Sequence, residues 1–358
     1  MRLVFGICSW GLGHATRTLP IVRRFVKEGD DVIIVSHGRA LELLKSELGE
    51  NASYVELEDY QPPRTLNPRV LALNTFLNAP QYIASMDREH RFVRRLLLKE
   101  KIDIIFSDNR FGFYALDVPS FYMTHQLRLM NPLRLKSLES GSERFNLWFL
   151  NRFKGILIPD YRENGLSGRL SHGLSVIDED DLSYIGPLSD FKYKDVEQDI
   201  DLLVSISGFE PHRTAFEKIV LEKLPVLEGR TVVSLGRPAE TVVKDNVTVQ
   251  GLVPREEQEA LLNRARLVVA RSGYSTVMDL HALGKKGILV PTPGQTEQEY
   301  LASYHMAMGN FFCVHQDQLD IKTQSRDTLL RKYPVGQHPT DKSVENAVGL
   351  MTGTGRAA

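Results

Sequence analysis

Two neighbouring strand–turn–helix patterns constrain the fold of this chain more than any other feature of its sequence. Residues 267–270 (LVVA) and 286–290 (KGILV) are short apolar runs that predict buried parallel strands. The turns that follow, at 271–276 and 291–296, are rich in glycine, proline, serine and threonine, which end a strand and let a helix begin. Repeated units of this kind predict an open parallel sheet that binds ligands beyond the carboxyl ends of its strands.

Polar residues concentrate at these two helix starts. The first N–H groups of a helix lack partners within the helix and lie at the positive end of its dipole, so they stabilise a phosphate without a metal ion. Asp279 follows about one turn later and suits hydrogen bonds from ribose hydroxyls. Ordinary helix capping would explain the serine, threonine and glycine residues but not the charged and amide side chains. We therefore predict a nucleotide-sugar site formed by Arg271, Ser272, Gly273, Ser275, Thr276, Asp279, Gln295, Thr296, Gln298 and Glu299.

The rest of the chain repeats the alternation of strands and helices and divides into two halves. Predicted strands at 2–9 and 31–36 alternate with helices at 15–27 and 39–48, which favours a parallel sheet with right-handed crossovers. Two long helical segments are predicted at 71–101 and 127–154, and further strands at 102–107, 120–124, 155–159, 201–207, 230–234 and 247–251. The run 184–188 ends the first half. A charged stretch marks the boundary between the halves. The predicted organisation is a domain at 1–188, a linker at 189–200, a domain at 201–339 and a helical tail at 340–358.

A second polar loop, residues 9–17 (SWGLGHATR), follows the first predicted strand. It lacks the third glycine of the dinucleotide fingerprint, and no acidic residue closes the second strand (residues 36–38, SHG), so an NAD enzyme is disfavoured. His14 suits a general base because histidine exchanges protons near neutral pH; the alternative is a helix-end residue that bonds backbone or phosphate. Asp108 is the second catalytic candidate, with three roles open: orienting His14, acting as the base, or capping the turn at Asn109.

These motifs resemble the donor-binding signature of the GT-B glycosyltransferases, most closely family 28, which includes the lipid-linked N-acetylglucosamine transferase of peptidoglycan synthesis. The residues that carry the resemblance are 273–276 (GYST) and 293–300 (PGQTEQEY), which are also similar to a subgroup of little-characterised bacterial and archaeal glycosyltransferases. The resemblance implies two Rossmann-like, doubly wound α/β domains with parallel sheets and a cleft between them. It also implies that the helix in the tail returns to the N-terminal domain.

The resemblance assigns roles to several loop residues. The loop with Gly13 and His14 faces the donor sugar and the acceptor in such enzymes, which adds Gly13 to the donor side and Trp10 to the acceptor side. His125 stands where related enzymes carry an acceptor-side histidine, although Gln126 departs from their pattern. The alternative for His125 is a hydrogen-bonded core histidine.

Two loops of the second half complete the predicted donor site. The amides of Ser207 and Gly208 suit a diphosphate, and Arg213 would add positive charge. This loop has fewer glycines than its counterpart in the family. Leu252 and Val253 stand where the family's main chain contacts the nucleotide base.

The activity implied by the resemblance is an inverting, metal-independent transfer of a sugar from a nucleoside diphosphate sugar, with UDP as the expected nucleotide, to an acceptor hydroxyl. This would make the chain a hexosyltransferase of the EC 2.4 class without a cofactor. A lipid-linked or cell-envelope glycan is the candidate acceptor. Two alternatives stay open: a UDP-sugar 2-epimerase-like enzyme of the same fold, and a noncatalytic nucleotide-sugar-binding protein.

Composition narrows the partners and the location. The 358 residues suffice for two domains, and the net charge of -1 argues against nucleic-acid binding. Cys8 and Cys313 form no disulfide framework, and no apolar run is long enough to cross a bilayer, so we expect a cytoplasmic protein. The basic-aromatic stretches 91–99 and 144–154 leave two alternatives open: helices packed on the sheet, or peripheral contact with the inner face of the membrane. The oligomeric state stays open.

Overall fold

The computed structural model describes residues 1–60, 79–131, 135–223, 229–330 and 340–354. These residues form two compact units. The first contains the described residues within Met1–Pro63, Ala72–Asp190 and Thr340–Ala358, and the second those within Phe191–Pro339. A seven-stranded sheet lies at the centre of each unit.

The sheet of the first unit is parallel throughout. Its strands are β1 (Arg2–Ile7), β2 (Asp31–Ser36), β3 (Ser53–Glu56), β4 (Ile104–Asp108), β5 (Ser120–Met123), β6 (Gly155–Ile158) and β7 (Leu182–Tyr184). They lie in the order β3-β2-β1-β4-β5-β6-β7. The central strands are apolar over nearly their whole length because helices cover both faces of the sheet. The carboxyl ends of β1, β4 and β5 therefore meet at one edge.

Among the described residues, four α-helices follow strands of this sheet: α1 (Gly13–Lys27), α2 (Gly38–Leu48), α3 (Ala79–Leu97) and α4 (Lys136–Leu150). Leu19, Val22 and Phe25 of α1 pack with Leu3 and Phe5 of β1 on one face of the sheet. Val93 of α3 packs with Val4, Val35 and Ile105 on the other face. Because alternate residues of a strand point to opposite faces, each strand contributes to both cores.

The second unit has the same layered plan. Its strands are β8 (Leu202–Ser205), β9 (Thr231–Ser234), β10 (Val242–Lys244), β11 (Val247–Gln250), β12 (Leu267–Ala270), β13 (Lys286–Leu289) and β14 (Phe312–Cys313), in the order β10-β11-β9-β8-β12-β13-β14. Only β10 runs antiparallel to its neighbour among the described strands. The helices are α5 (His212–Lys223), α6 (Arg255–Arg264), α7 (Tyr274–Ala282), α8 (Thr296–Ala307) and α9 (Ile321–Leu330).

The last described helix, α10 (Thr340–Thr352), follows the second unit in the chain but belongs to the first. Four of its apolar side chains join the core beside α1; they are Val344, Ala347, Val348 and Met351. The Nδ2 atom of Asn346 donates to the carbonyl of Ile185 at 3.0 Å, which ties the helix to the chain that follows β7.

The predicted fold class, two doubly wound α/β domains with parallel sheets, is confirmed. The helix predicted over 127–154 is shorter, since it spans Lys136–Leu150. Before it, the amides of Leu127 and Arg128 both donate to the carbonyl of Leu170, which holds these two residues outside a helix. Residues 71–78, within the predicted helical segment 71–101, lie outside the described residues.

Residues 191–200 of the segment predicted as a linker belong to the second unit, whereas residues 189 and 190 belong to the first. The amide of Lys192 donates to Glu259 at 2.8 Å, and that of Lys194 donates to Oδ1 of Asn263 at 2.9 Å. Ile200 forms a parallel bridge with Ala265. This charged segment is therefore held along α6 by backbone hydrogen bonds.

Candidate functional site

Five polar residues meet at the edge where β1, β4 and β5 end, and we call them the histidine cluster: His14, Arg17, Thr18, Asp108 and His125. The parallel register sets Asp108 beside both Ile7 and Met123. Helix α1 begins just beyond β1, so three of these residues lie on its first two turns. The topology of the sheet thus brings together side chains that are more than 90 residues apart in sequence.

Asp108 is fully buried and each of its carboxylate oxygens has two partners. Oδ1 lies 2.9 Å from Nδ1 of His14 and also accepts from Nη2 of Arg17. Oδ2 accepts from Nε of Arg17 at 2.9 Å and from the Thr18 hydroxyl at 2.7 Å. Burial by itself would raise the pKa of Asp108, but the charge of Arg17 and the contact with His14 outweigh it and hold that pKa well below its usual value. The carboxylate is therefore ionised and suited to orient His14.

His14 is the member of the histidine cluster with the most access to solvent; its side chain is 14% exposed, against none for Asp108. Its Nδ1 faces the carboxylate, an arrangement that fixes the plane of the ring. The buried Asp108 has no comparable access, so of the three roles open for it, orienting His14 fits the geometry best. The turn at Asn109 receives no contact from the Asp108 side chain, because both carboxylate oxygens face α1.

Arg17 and Thr18 are the members of the histidine cluster that the sequence analysis missed. Residues three and four positions apart share one face of a helix, so the spacing from His14 was a signal that could have identified both. Arg17 also reaches across to His125, with Nη1 2.8 Å from Nδ1. His125 is buried, as a core histidine would be, and its bond to Arg17 also makes it part of the histidine cluster.

A buried carboxylate shapes the loop before α1. Asp59 accepts hydrogen bonds from the amide and the hydroxyl of Ser9, both at 2.6 Å. The Trp10 indole donates to the carbonyl of Tyr60 and meets that ring edge-on at 5.1 Å. Gly11 has a positive φ of 71°, which a side chain would disfavour. Asp59, absent from the sequence prediction, thus holds the loop that presents His14.

In the second unit, the two strand–turn–helix patterns lie side by side. Strands β12 and β13 are parallel neighbours, so the turns after them meet at one edge of the sheet. Helix α7 begins at Tyr274 and α8 at Thr296, and neither N-cap residue, Gly273 nor Gln295, makes a side-chain capping bond. The usual bond from an N-cap side chain is therefore missing at the start of both helices.

Gln298 connects these two turns, which we call the paired turns (residues 271–276 and 291–296). Its carbonyl accepts from the Ser272 hydroxyl at 2.9 Å, and its Oε1 accepts from the amide of Thr292 at 2.9 Å. Glu299 accepts from the amide of Gly294 at 2.8 Å. The side chains of Gln298 and Glu299 therefore hold the second of the paired turns, residues 291–296. The remaining predicted donor residues around the paired turns of the second unit are half-buried, namely Gly273, Ser275, Thr276, Asp279, Gln295 and Thr296. Gly13, in the first unit, is half-buried as well.

Arg271 is a correction to the sequence prediction. Its guanidinium is only 2% exposed and donates to the carbonyls of Val290, Pro291 and His212. The ring of Phe216 lies 4.0 Å from its central carbon. Burial lowers the pKa of Arg271 to about 10. The side chain is occupied in holding the backbone together beneath the paired turns, so it is not aimed at a phosphate.

Arg213 needs the same correction. It is buried between two carboxylates, with Nη1 2.6 Å from Glu217 and Nε 2.8 Å from Glu210. These partners neutralise the charge that was predicted to face a diphosphate. In contrast, Ser207 and Gly208 are exposed as a phosphate-binding loop requires.

The loop after β11 leaves only part of its main chain for base recognition. The amide of Leu252 donates to the carbonyl of Arg237 at 2.7 Å, so that amide is already paired, while the Leu252 side chain is exposed and Val253 is half-buried. A Cβ at Gly251 would lie 2.4 Å from the amide nitrogen of Ala239, so the close approach of the two loops requires glycine there.

Within the described ranges, no group of three or more histidine, cysteine, aspartate or glutamate side chains is arranged to hold a metal ion. No helix among the described residues combines the length and apolar character needed to span a membrane.

The sequence matches family models over both of its halves. Residues 239–331 match the glycosyltransferase family 28 C-terminal domain, and residues 1–123 match a glycosyl transferase family 1 model. An uncharacterized glycosyltransferase of Methanosarcina mazei is 25% identical over 323 residues, covering 85% of this chain and 83% of that protein.

Two further comparisons concern enzymes of defined substrate. The UDP-N-acetylglucosamine--N-acetylmuramyl-(pentapeptide) pyrophosphoryl-undecaprenol N-acetylglucosamine transferase of Methylorubrum extorquens is 36% identical over 120 residues, 30% of this chain and 32% of that protein. The solved structure of a spinosyn rhamnosyltransferase complexed with thymidine diphosphate has a TM-score of 0.61 at 16% identity and covers 99% of this chain and 96% of that one. The chain is therefore a glycosyltransferase with the GT-B fold. Within that class it is of the family-28-like type.

Proposed function

We propose that this glycosyltransferase moves a hexosyl group from a UDP-sugar to an acceptor hydroxyl with inversion and without a metal ion. The observation that carries the proposal is the 2.9 Å contact between Nδ1 of His14 and the buried, ionised Asp108. With a proton on Nδ1, the opposite nitrogen of His14, Nε2, accepts the acceptor's proton. The acceptor oxygen then bonds to the anomeric carbon, the bond from that carbon to the diphosphate oxygen breaks, and the diphosphate leaves with the electron pair.

The departing diphosphate would be stabilised by backbone amides. The starts of α7 and α8, where the N-cap residues make no side-chain bond, lie at the positive ends of two helix dipoles, and the exposed loop at Ser207 and Gly208 offers further N–H groups. Arg271 and Arg213 would support these loops from below. Uridine is favoured because the transferase from Methylorubrum extorquens is named for a UDP-sugar, whereas the spinosyn enzyme was solved with thymidine diphosphate.

A nucleotide screen tests the donor half of this proposal. Thermal denaturation of the full chain with UDP, thymidine diphosphate, GDP, ADP and the matching sugar conjugates should show the largest upward shift of Tm with a uridine compound, because a ligand that binds only the folded state stabilises it. A larger shift of Tm with another nucleoside diphosphate would show that this nucleotide, and not UDP, belongs to the donor. No shift with any nucleotide would remove the donor-site assignment.

Conservative substitutions at His14 and Asp108 test the catalytic part of the proposal. His14→Gln and Asp108→Asn should lower the rate of sugar transfer by about 10²–10⁴-fold, while nucleotide binding persists. His281→Gln, in the last turn of α7, is the matched control and should retain the rate. Full activity of the His14 variant would exclude His14 as the base. Formation of an epimerised nucleotide sugar without acceptor would instead favour the epimerase alternative.

We also propose that the outer face of α4 contacts an anionic membrane surface, as expected if the acceptor is lipid-linked. Leu138, Phe145 and Trp148 on that face are about half exposed or more, at 53%, 49% and 61%. Arg144 is exposed beside them and Lys136 is exposed at the start of the helix, whereas Glu139 and Glu143, the acidic residues of the helix, are buried. An exposed face with aromatic and basic groups and no acidic ones complements anionic headgroups.

Co-sedimentation with lipid vesicles tests this surface. The full chain should bind vesicles that contain 30% phosphatidylglycerol, a composition of about one anionic lipid in three, and bind phosphatidylcholine vesicles less. Phe145→Ser with Trp148→Ser should abolish the binding, while Leu98→Ser, which changes an exposed leucine beyond the end of α3, should keep it. Equal binding by the double variant would rule out α4 as the contact.

A further inference from the structure

Arg17 contacts both histidines of the histidine cluster, and its chemistry restricts where their protons lie. A guanidinium donates hydrogen bonds and never accepts them. Any ring nitrogen that bonds to it must therefore present a lone pair. Nδ1 of His125 lies 2.8 Å from Nη1 of Arg17. Neutral His125 accordingly carries its proton on Nε2.

Nδ1 of His14 has two neighbours with opposite requirements. Oδ1 of the ionised Asp108, at 2.9 Å, can only accept a hydrogen bond, whereas Nη2 of Arg17, at 3.0 Å, can only donate one. Arg17 is already forked onto the carboxylate through Nε and Nη2. A lone pair on Nδ1 would face a negatively charged oxygen, whereas a proton there makes a charge-assisted hydrogen bond. The carboxylate therefore favours the proton on Nδ1 of His14.

We propose that Arg17 is a positioning residue for opposite tautomers on the two histidines. It fixes the proton of His125 on Nε2 directly, and it holds the Asp108 carboxylate that keeps the proton of His14 on Nδ1. The first tautomer leaves Nε2 of His14 able to take a proton, as the proposed function on which this inference rests requires. The fork of Arg17 also holds the carboxylate plane so that Oδ1 points at His14. The buried guanidinium of Arg17 thereby orients His14 through Asp108, and it orients His125 by a direct hydrogen bond.

Lysine cannot replace this arrangement. The three contacts of Arg17 use three nitrogens of one rigid plane, whereas an ammonium is a single point of donation. Arg17→Lys should therefore keep the positive charge beside Asp108 but lose the bond to His125. Arg17→Met should lose both. This difference gives a graded pair of variants.

Long-range ¹⁵N–¹H NMR spectra of histidine-labelled full chain test the tautomers without any turnover. In the native protein we expect protonation on Nδ1 for His14 and on Nε2 for His125, with the signals assigned through His14→Gln and His125→Gln. Arg17→Lys and Arg17→Met should convert His125 to a mixture of tautomers. Arg24→Met, which removes an exposed arginine of the same helix that pairs with Glu28, is the matched control and should leave both patterns unchanged.

The outcomes separate this inference from the proposed function. A native His125 protonated on Nδ1, or an Arg17→Met protein that is folded and shows both native patterns, would overturn it. Native tautomers as expected, with a protein that lacks transferase activity, would leave the positioning role standing and remove the catalytic assignment. In an active protein, kcat should fall by about 100-fold in Arg17→Met, with KM for the nucleotide sugar nearly unchanged.

Discussion

Arg271 and Asp108 show how burial decides the role of a single charged residue. Both were predicted at strand ends. Arg271 was expected to face a phosphate, whereas orienting His14, acting as the base and capping a turn were all open for Asp108. Asp108 keeps its charge in the interior because Arg17 lies against it, and so it can orient a neighbour. Arg271 is paired mainly with backbone carbonyls, so burial lowers its pKa to about 10 and its role is structural. Sequence identifies such residues but not the direction in which their side chains point.

Replacement of Arg271 should therefore destabilise the second unit. Arg271→Met removes the guanidinium that donates to the carbonyls of Val290, Pro291 and His212, at a cost of about 2–3 kcal/mol in the free energy of unfolding. Urea denaturation measures this loss. Arg266→Met, which removes an exposed arginine paired with Asp201, is the control and should change stability by less than about 1 kcal/mol. If the Arg271→Met protein is as stable as the native protein but binds diphosphate more weakly, the predicted contact between Arg271 and a phosphate would be supported instead.

Lys285 predicts a dependence of stability on pH. It is buried, its ammonium donates to the carbonyls of Asn263 and Ala265, and burial lowers its pKa from 10.5 to about 8. Between pH 8 and 10.5 the unfolded chain holds this proton and the folded chain does not, so the contribution of Lys285 to stability rises with pH in that window. Denaturation at pH 7 and pH 9.5 should show this rise relative to Lys285→Met. Equal pH slopes for the two proteins would contradict it.

Individual residues of the histidine cluster were predictable, but their contacts were not. His14 and Asp108 stand at strand ends that any parallel sheet brings to one edge. The spacing from His14 places Arg17 on the same face of α1, but the partners that hold its guanidinium, Asp108 and His125, come from distant parts of the chain. Asp59 bonds to Ser9 across 50 residues, a pairing that follows from the strand order and leaves no local signal.

At the scale of elements, a buried ion pair joins α3 to the loop after β4. Arg110 and Glu89 are both fully buried, with Nε 2.7 Å from Oε1, and Glu89 also accepts from the amide of Gly112 at 3.0 Å. Arg110 further donates to the carbonyls of Val35 and Leu57. Since Asp108 lies two residues before Arg110, this pair supports the strand end that carries the histidine cluster.

Breaking this pair from one side should be costly. Arg110→Met leaves Glu89 as a buried carboxylate without a counter-charge. Burial already raises the pKa of Glu89. The substitution should therefore reduce the free energy of unfolding by about 3–5 kcal/mol. Removing both charges with Glu89→Leu in the same chain should recover much of that loss. Arg91→Met, at an exposed pair with Asp87 on the same helix, provides the control. A double variant as unstable as the single one would contradict a charge-based explanation.

Long apolar elements were predictable because their pattern alone specifies them. Strands β2 and β12 have the predicted limits, and α7 and α8 begin where the turns predict. Strands β3 and β10 were missed, since each is short, exposed on at least part of its length and stabilised by its neighbour in the sheet. Such strands depend on pairing more than on their own residues.

At the scale of the whole molecule, the first unit is discontinuous in sequence. Helix α10 comes after the entire second unit and packs beside α1 with four buried apolar side chains. The predicted helix at the end of the chain is therefore part of the first unit's core. Its contribution can be tested separately from that of the second unit.

A chain that ends at Pro339 should lose stability in the first unit only. Burial of each large apolar side chain is worth about 1.5–3 kcal/mol, so loss of Val344, Val348 and Met351 should leave α1 and β7 poorly protected. Hydrogen exchange read by mass spectrometry should show faster exchange there and unchanged exchange in β12 and β13. A chain that ends at Thr354 is the control and should exchange like the full chain. Equal loss of protection in both units would contradict a local effect.

The position of α10 has a consequence for synthesis on the ribosome. The strands and helices that hold the histidine cluster emerge first, yet the helix that closes their core is translated after all fourteen described strands. During that interval the apolar side of α1 lacks part of its cover. The second unit can therefore complete its fold before the first, although the first is synthesised earlier. Chaperones would be needed while the first unit waits for α10.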